Sequence, residues 1–261
     1  MIIMRISFLL LAVFLFASCS DKDKKDDPAL PDLPAVTVTA SGTYTVNNLI
    51  GDTIARAGGS ATFKTVYYSL EDGRVIPDAY ATTDKWDIAF ASIYNSSVWA
   101  NNGTATYNPG KGGPGKGGIY LVVDSAVDKQ YFDYENQRPA AVPIAQSLME
   151  EAFNKVTTVP VADADLLING YLTLDHFNGS TNGYAFYDFY GQMYPGDSEK
   201  AHVVYGLPRT IIIKTAKGNY AKLMIYSFYK DNPANPDIHT AAPYITFKYT
   251  INKDGDKTFN Q

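Results

Sequence analysis

Short runs of β-branched and aromatic residues, each bounded by turn residues, recur along most of the chain. That recurrence confines the chain to a β-rich fold. The clearest runs are Val36–Ala40, Thr62–Leu70, Lys85–Ala91, Gly118–Val123, Arg209–Thr215, Tyr220–Tyr229 and Tyr244–Ile251. Twenty tyrosines and 13 phenylalanines supply flat side chains that suit a pleated surface. Ala216-Lys217-Gly218-Asn219 reads as a hairpin turn, so its flanks Thr210–Lys214 and Ala221–Tyr226 should pair antiparallel. One segment, Ile144 to Phe153, carries a helical pattern, and it is short. Asn108 to Gly118 holds six glycines and two prolines with no regular spacing, which marks a loop. The expected architecture is all-β: an antiparallel scaffold with few short helices. Its irregular part, Val156 to Ala201, contains the aromatic stretch Tyr184 to Tyr194, and a long excursion from a β scaffold is a common place for a binding site.

The N-terminus has the layout of a secretory signal. Arg5 is followed by an apolar run from Ile6 to Phe16, broken only by Ser7, and then by Ala17 and Ser18. A run of that length is too short to span a bilayer as a helix and fits a cleaved signal over residues 1–18. Phe16-Ala17-Ser18-Cys19 resembles the bacterial lipobox, with Cys19 as the lipid-bearing residue. It is the only cysteine in the chain, so no internal disulfide can employ it. Residues 19–34, charged and then Pro-rich, read as a flexible tether, and residues 35–261 as a single β domain. The charged stretch Ser20 to Asp27 resembles the tract that sends some lipoproteins to the outer face of the outer membrane; it reads equally as a solvated linker. Without residues 1–18 the chain keeps 21 basic and 27 acidic residues. A mildly acidic balance argues against nucleic acid as a partner.

Enzymatic signatures do not emerge. No Gly-rich loop leads into Lys-Ser/Thr, and no His-Glu-x-x-His or Gly-x-Ser-x-Gly occurs. The glycine-rich stretch Pro109 to Gly118 has lysines but no following hydroxyl residue or helix. Glu150-Glu151 and Asp163 with Asp165 read as solvated carboxylates. His176, His202 and His239 are too far apart in sequence to form a metal-ligand motif. These absences point away from an enzyme. The aromatic crowding and the two methionines Met149 and Met193 suit either capture of a flat apolar molecule or simple core packing, and thioether sulfur and imidazole can both bind haem iron axially.

Three blocks of sequence carry a family resemblance. Tyr67-Tyr68-Ser69-Leu70-Glu71-Asp72-Gly73-Arg74-Val75 leads to Asp84-Lys85-Trp86-Asp87-Ile88-Ala89-Phe90, then to Asn101-Asn102-Gly103 and Gly115-Lys116-Gly117-Gly118. Pro208-Arg209-Thr210-Ile211-Ile212-Ile213 precedes Gly218-Asn219-Tyr220-Ala221-Lys222-Leu223-Met224-Ile225 and Tyr244-Ile245-Thr246-Phe247-Lys248-Tyr249. In this order, over roughly residues 62 to 251, they resemble the HmuY-like family of haem-binding lipoproteins. The resemblance implies an all-β fold of two lobes with haem in the cleft between them. It also implies a haemophore role in iron acquisition, taking haem from host haem proteins and passing it to a TonB-dependent outer-membrane receptor from a lipid-anchored position at the cell surface. In the best-known members two histidines ligate the iron. Phe153-Asn154-Lys155-Val156 fits the landmark after the first, where Met149 stands in place of histidine. In the second window the candidates are Met193 and His202. Since some relatives use two methionines, the resemblance implies Met149 and Met193 as axial ligands, with His176 and His202 as alternatives. Trp86, Ile88 and Phe90 should alternate onto one face of a strand as scaffold, and Lys222 should face solvent or a carboxylate. The departure from the His pair leaves a second reading: a binding module on the same scaffold for a metal-free porphyrin, a glycan or a protein.

Overall fold

A computed structural model describes residues 30–56, 58–59, 62–175 and 183–259. Cys19, the signal over 1–18 and His176 lie outside the described residues. From Pro31 onward the chain forms one compact unit. It begins inside the segment read as tether: the Tyr80 hydroxyl donates to the Pro31 carbonyl at 2.9 Å, and Leu33 packs beside Tyr67 and Trp86.

Two antiparallel sheets carry the fold. The larger is built from β1 (Gly42–Ile50), β6 (Gly118–Val122), β11 (Thr210–Lys214), β12 (Tyr220–Ser227) and β13 (Tyr244–Asn252), in the order β1-β13-β12-β11-β6. The smaller contains β2 (Val66–Ser69), β3 (Arg74–Ile76), β4 (Ile88–Ala91) and β5 (Ser97–Ala100), in the order β3-β2-β4-β5. Between β11 and β12 the register runs from Lys214 opposite Tyr220 to Ile211 opposite Leu223, which is the hairpin expected around Lys217 and Gly218. The sheets share one core: Ile211, Ile213, Leu223 and Phe247 meet Tyr68, Ile88, Phe90 and Val98. The Phe247 ring takes Tyr68 edge-on at 5.5 Å between centroids. Each such side chain stabilises the fold by about 1.5–3 kcal/mol on full burial.

Several expectations are corrected. Val36–Ala40 is not a strand: Thr37 and Val38 both donate to the single carbonyl of Asp72, which holds the segment without a ladder. The edge strand lies further on, at β1. Trp86 does not share a face with Ile88 and Phe90. It precedes β4 and packs with Ala89, Tyr67 and Ile76, while Ile88 and Phe90 enter the shared core. Among the described residues two α-helices occur, α1 (Ser125–Tyr131) and α2 (Gln146–Lys155), and the chain between them forms a short antiparallel pair, β7 (Phe132–Asp133) with β8 (Arg138–Pro139). The first helix is capped by Asp124, whose carboxylate accepts from the Ala126 and Val127 amides.

The second helix lies against the outer face of the larger sheet. Met149, Ala152 and Phe153 recur at the spacing of one helical face and are its buried residues. Its C-terminal end rests on Lys222 of β12, which is 1% exposed and donates from Nζ to the carbonyls of Phe153 and Val156, each at 2.8 Å. The ammonium also sits 4.3 Å from the Phe153 ring centroid. The expectation of a solvent or carboxylate partner for Lys222 therefore fails: carbonyls at a helix end, where a cation is favoured, take that place. Among the described residues no helix is long and apolar enough to cross a membrane.

Candidate functional site

Residues 183–206 supply the inner walls of the site. A short antiparallel pair, β9 (Ala185–Asp188) and β10 (Val203–Gly206), is registered with Asp188 opposite Val203 and Tyr187 opposite Val204. At its base Arg209, 2% exposed, binds Asp128 at 3.0 Å and Asp175 at 3.4 Å and donates to the Gly183 carbonyl at 2.7 Å. The Tyr131 hydroxyl completes the cluster on Asp128 at 2.6 Å. Burial pushes the Asp175 carboxyl up to about 7, against the pull of the guanidinium. This cluster ties α1 and the start of the β9–β10 pair to β11.

Asp188 organises the other end. It is fully buried, and its carboxylate accepts from the amides of Gln192 at 2.7 Å and Met193 at 2.9 Å. Its carbonyl accepts from the His202 amide at 2.8 Å. One residue thus positions two sequence-nominated ligands. His202 takes a left-handed backbone, φ 61°, which few bulky residues adopt without support. Across from it Ser92, Tyr94 and Asn95 are also left-handed, at φ 64°, 49° and 55°. The Asn95 amide fixes that turn by donating to the Lys64 and Phe90 carbonyls.

Two cavities adjoin β10. The smaller, of about 340 Å³, lies between the start of α2 and β10, with Met149, Tyr205, Gly206 and Tyr226 among its walls. A side chain at Gly206 would press on the Met149 methyl and on the carbonyls of Ile225 and Tyr226, so glycine lets helix and sheet approach there. The larger, of about 1010 Å³, is walled by Tyr94, Tyr187, Phe189, His202, Tyr229 and Tyr244, with Arg56, Asp237 and His239 toward its rim. Its volume lies at the upper end for small-molecule sites. Val204 and Tyr229 line both cavities, and the Val204 amide donates to the Tyr229 hydroxyl at 2.9 Å, so the partition is stitched together.

The nominated residues stand differently to these spaces. Met149, 4% exposed, borders the smaller cavity. Met193 packs against the same apolar cluster as Met149, although 44 positions separate them in sequence; it borders neither cavity. His202 and His239 face the larger one. The His202 ring is held by two neighbours: Nδ1 lies 2.8 Å from the Tyr187 hydroxyl, and the Phe189 ring meets the imidazole edge-on at 4.8 Å. Phe189 in turn meets Tyr187 edge-on at 5.7 Å. An apolar chamber with flat aromatic walls and one oriented imidazole suits a planar molecule that offers a metal or a hydrogen-bonding edge. Sequence reasoning passed over Tyr187 and Asp188 as ligand supports, because nothing in a run of alternating aromatics tells which of them meets a histidine 14 or 15 residues later.

Comparison with known proteins gives one family and several distant structures. The family described as HmuY protein matches residues 61–249. A chain from Bacteroides fragilis described as a lipoprotein is 14% identical, with a TM-score of 0.35, covering 82% of this chain and 92% of its own. One from Bacteroides vulgatus, described as an HmuY-like heme binding protein, is 13% identical with a TM-score of 0.35, covering 83% and 96%. The apo HmuY analog of Tannerella forsythia is 10% identical with a TM-score of 0.28, covering 84% and 99%. No curated protein matches.

Proposed function

Because this chain belongs to the HmuY family, we propose that it is a haem-binding lipoprotein that captures haem and passes it to an outer-membrane receptor. The observation that carries the reading is the larger cavity, whose aromatic walls and exposed His202 offer both a slot for a porphyrin and a donor for its iron. Imidazole is a common axial ligand, and the iron it binds brings the redox chemistry. Tyr94, Tyr187 and Phe189 would bound the macrocycle and exclude water.

A second placement of the iron has its own support. Met149 and Met193 converge on one apolar cluster beside the smaller cavity, and a thioether pair there would hold haem with a higher reduction potential than imidazole gives. Host haem proteins are the proposed donors and a TonB-dependent receptor the proposed recipient. Lipidation at Cys19 would keep the protein at the outer membrane, facing outward.

Haem titrated into the purified protein should give a saturable, shifted Soret band. Absence of that band would refute the function. If the band is lost in His202→Asn and kept in Met149→Ala and Met193→Ala, the iron belongs to the larger cavity; the reverse pattern assigns it to the methionine pair. Metal-free protoporphyrin binding as tightly as haem would show that stacking, not iron ligation, holds the ligand.

A further inference from the structure

The geometry points to Tyr187 as the positioning residue that selects the metal-ready tautomer of His202. This deepens the haem reading above and rests on it for the identity of the metal.

A neutral imidazole carries its proton on one nitrogen and a lone pair on the other. The 2.8 Å contact between the Tyr187 oxygen and His202 Nδ1 can run in two directions with opposite consequences. If the phenol donates, the Nδ1 lone pair is taken, Nε2 keeps the proton, and the ring offers the cavity an N–H. If Nδ1–H donates to the phenol oxygen, Nε2 offers a lone pair to a metal. A metal-binding histidine characteristically donates its other N–H to an oxygen, which fixes the tautomer and raises ligand basicity.

The surroundings leave Nε2 as the nitrogen open to a ligand. Phe189 crowds the ring edge-on at 4.8 Å. The His202 amide is tied to the Asp188 carbonyl, and the left-handed backbone sets the direction in which the side chain departs. Tyr187 comes from the residue just before Asp188 on the paired strand, so phenol and imidazole are held by the same hydrogen-bonded unit. With Nε2 taken by a metal, the Nδ1 proton would donate to the Tyr187 oxygen. No proton is gained or lost, because the tautomer already carries it there.

The test begins without haem. In protein labelled with ¹⁵N at histidine, the His202 shifts should report the Nδ1–H tautomer, and Tyr187→Phe should move them toward the Nε2–H form. Haem affinity in Tyr187→Phe should fall by roughly 10–100-fold, with a rise in reduction potential as the imidazole loses basicity. His202→Asn, which suits a left-handed backbone, should remove the axial signature altogether. An Nε2–H tautomer in the wild type, or shifts that ignore Tyr187→Phe, overturns the assignment. So does haem binding that is normal in both variants. A wild-type protein that gives no Soret band defeats the haem reading instead, and the tautomer measurement still decides the role of Tyr187.

Discussion

Lys222 shows what one side chain can hide. In sequence it is a polar residue in a strand, and the reading of such a residue as solvent-facing is reasonable. In the structure its aliphatic stem is enclosed and its ammonium serves two carbonyls at the end of α2. Burial and the nearby Lys248 charge push its pKa down to about 8, although the carbonyls and the helix end favour the charged form. A folded-state pKa below the unfolded value means that the charged lysine costs stability below about pH 8, and that the cost is relieved as the pH rises toward 10.5. The stability difference between wild type and Lys222→Met, measured by urea unfolding, should therefore rise across that window by up to roughly 3 kcal/mol. A difference that stays flat with pH would mean that the ammonium is fully compensated. The same limit on legibility applies to His202. As a lone histidine it was a candidate only by resemblance, since its partner Tyr187 lies 15 positions away and only strand pairing joins them.

Elements were legible where both faces of a strand are buried. The apolar runs of β11, β12 and β13 need no tertiary knowledge to read, because burial on both sides demands continuous hydrophobicity. The edge strand β1 alternates half-buried and exposed positions and was masked by the more apolar Val36–Ala40, whose amides found a turn carbonyl instead. The helix α2 was placed two residues early: the pattern of Met149 and Phe153 was visible, and its boundaries were not. The glycine-rich loop, read as a loop without phosphate chemistry, owes all but one of its glycines to packing. A side chain at Gly103 would overlap the Gly113 carbonyl, whereas one at Gly112 (φ +86°) would meet open space and only backbone strain. Gly103→Ala should thus cost about 3 kcal/mol and Gly112→Ala about 1 kcal/mol. Denaturant midpoints at unchanged slope would measure both, and equal losses would show that loop conformation rather than contact governs this segment.

At the scale of the whole molecule, the all-β antiparallel architecture was readable from the recurrence of strands and turns. The arrangement of two cavities along β10 was not, because it depends on segments far apart in sequence meeting at one strand. A ligand that binds only the folded form adds its binding energy to stability. With haem at 100 times its dissociation constant the gain is about 2.7 kcal/mol, which for a domain of this size corresponds to a rise in Tm of roughly 5–10 °C. Wild-type protein should show that rise and His202→Asn should not; an equal rise in both would place the haem away from the larger cavity. The partition of Val204 and Tyr229 carries a last consequence. Since both chambers own the same wall, any occupant that displaces it on one side alters affinity on the other, and by the same factor in either direction. Were that wall to yield, loading and unloading would cease to be separate properties of separate sites, and one room would be felt in the other through the thickness of a single strand.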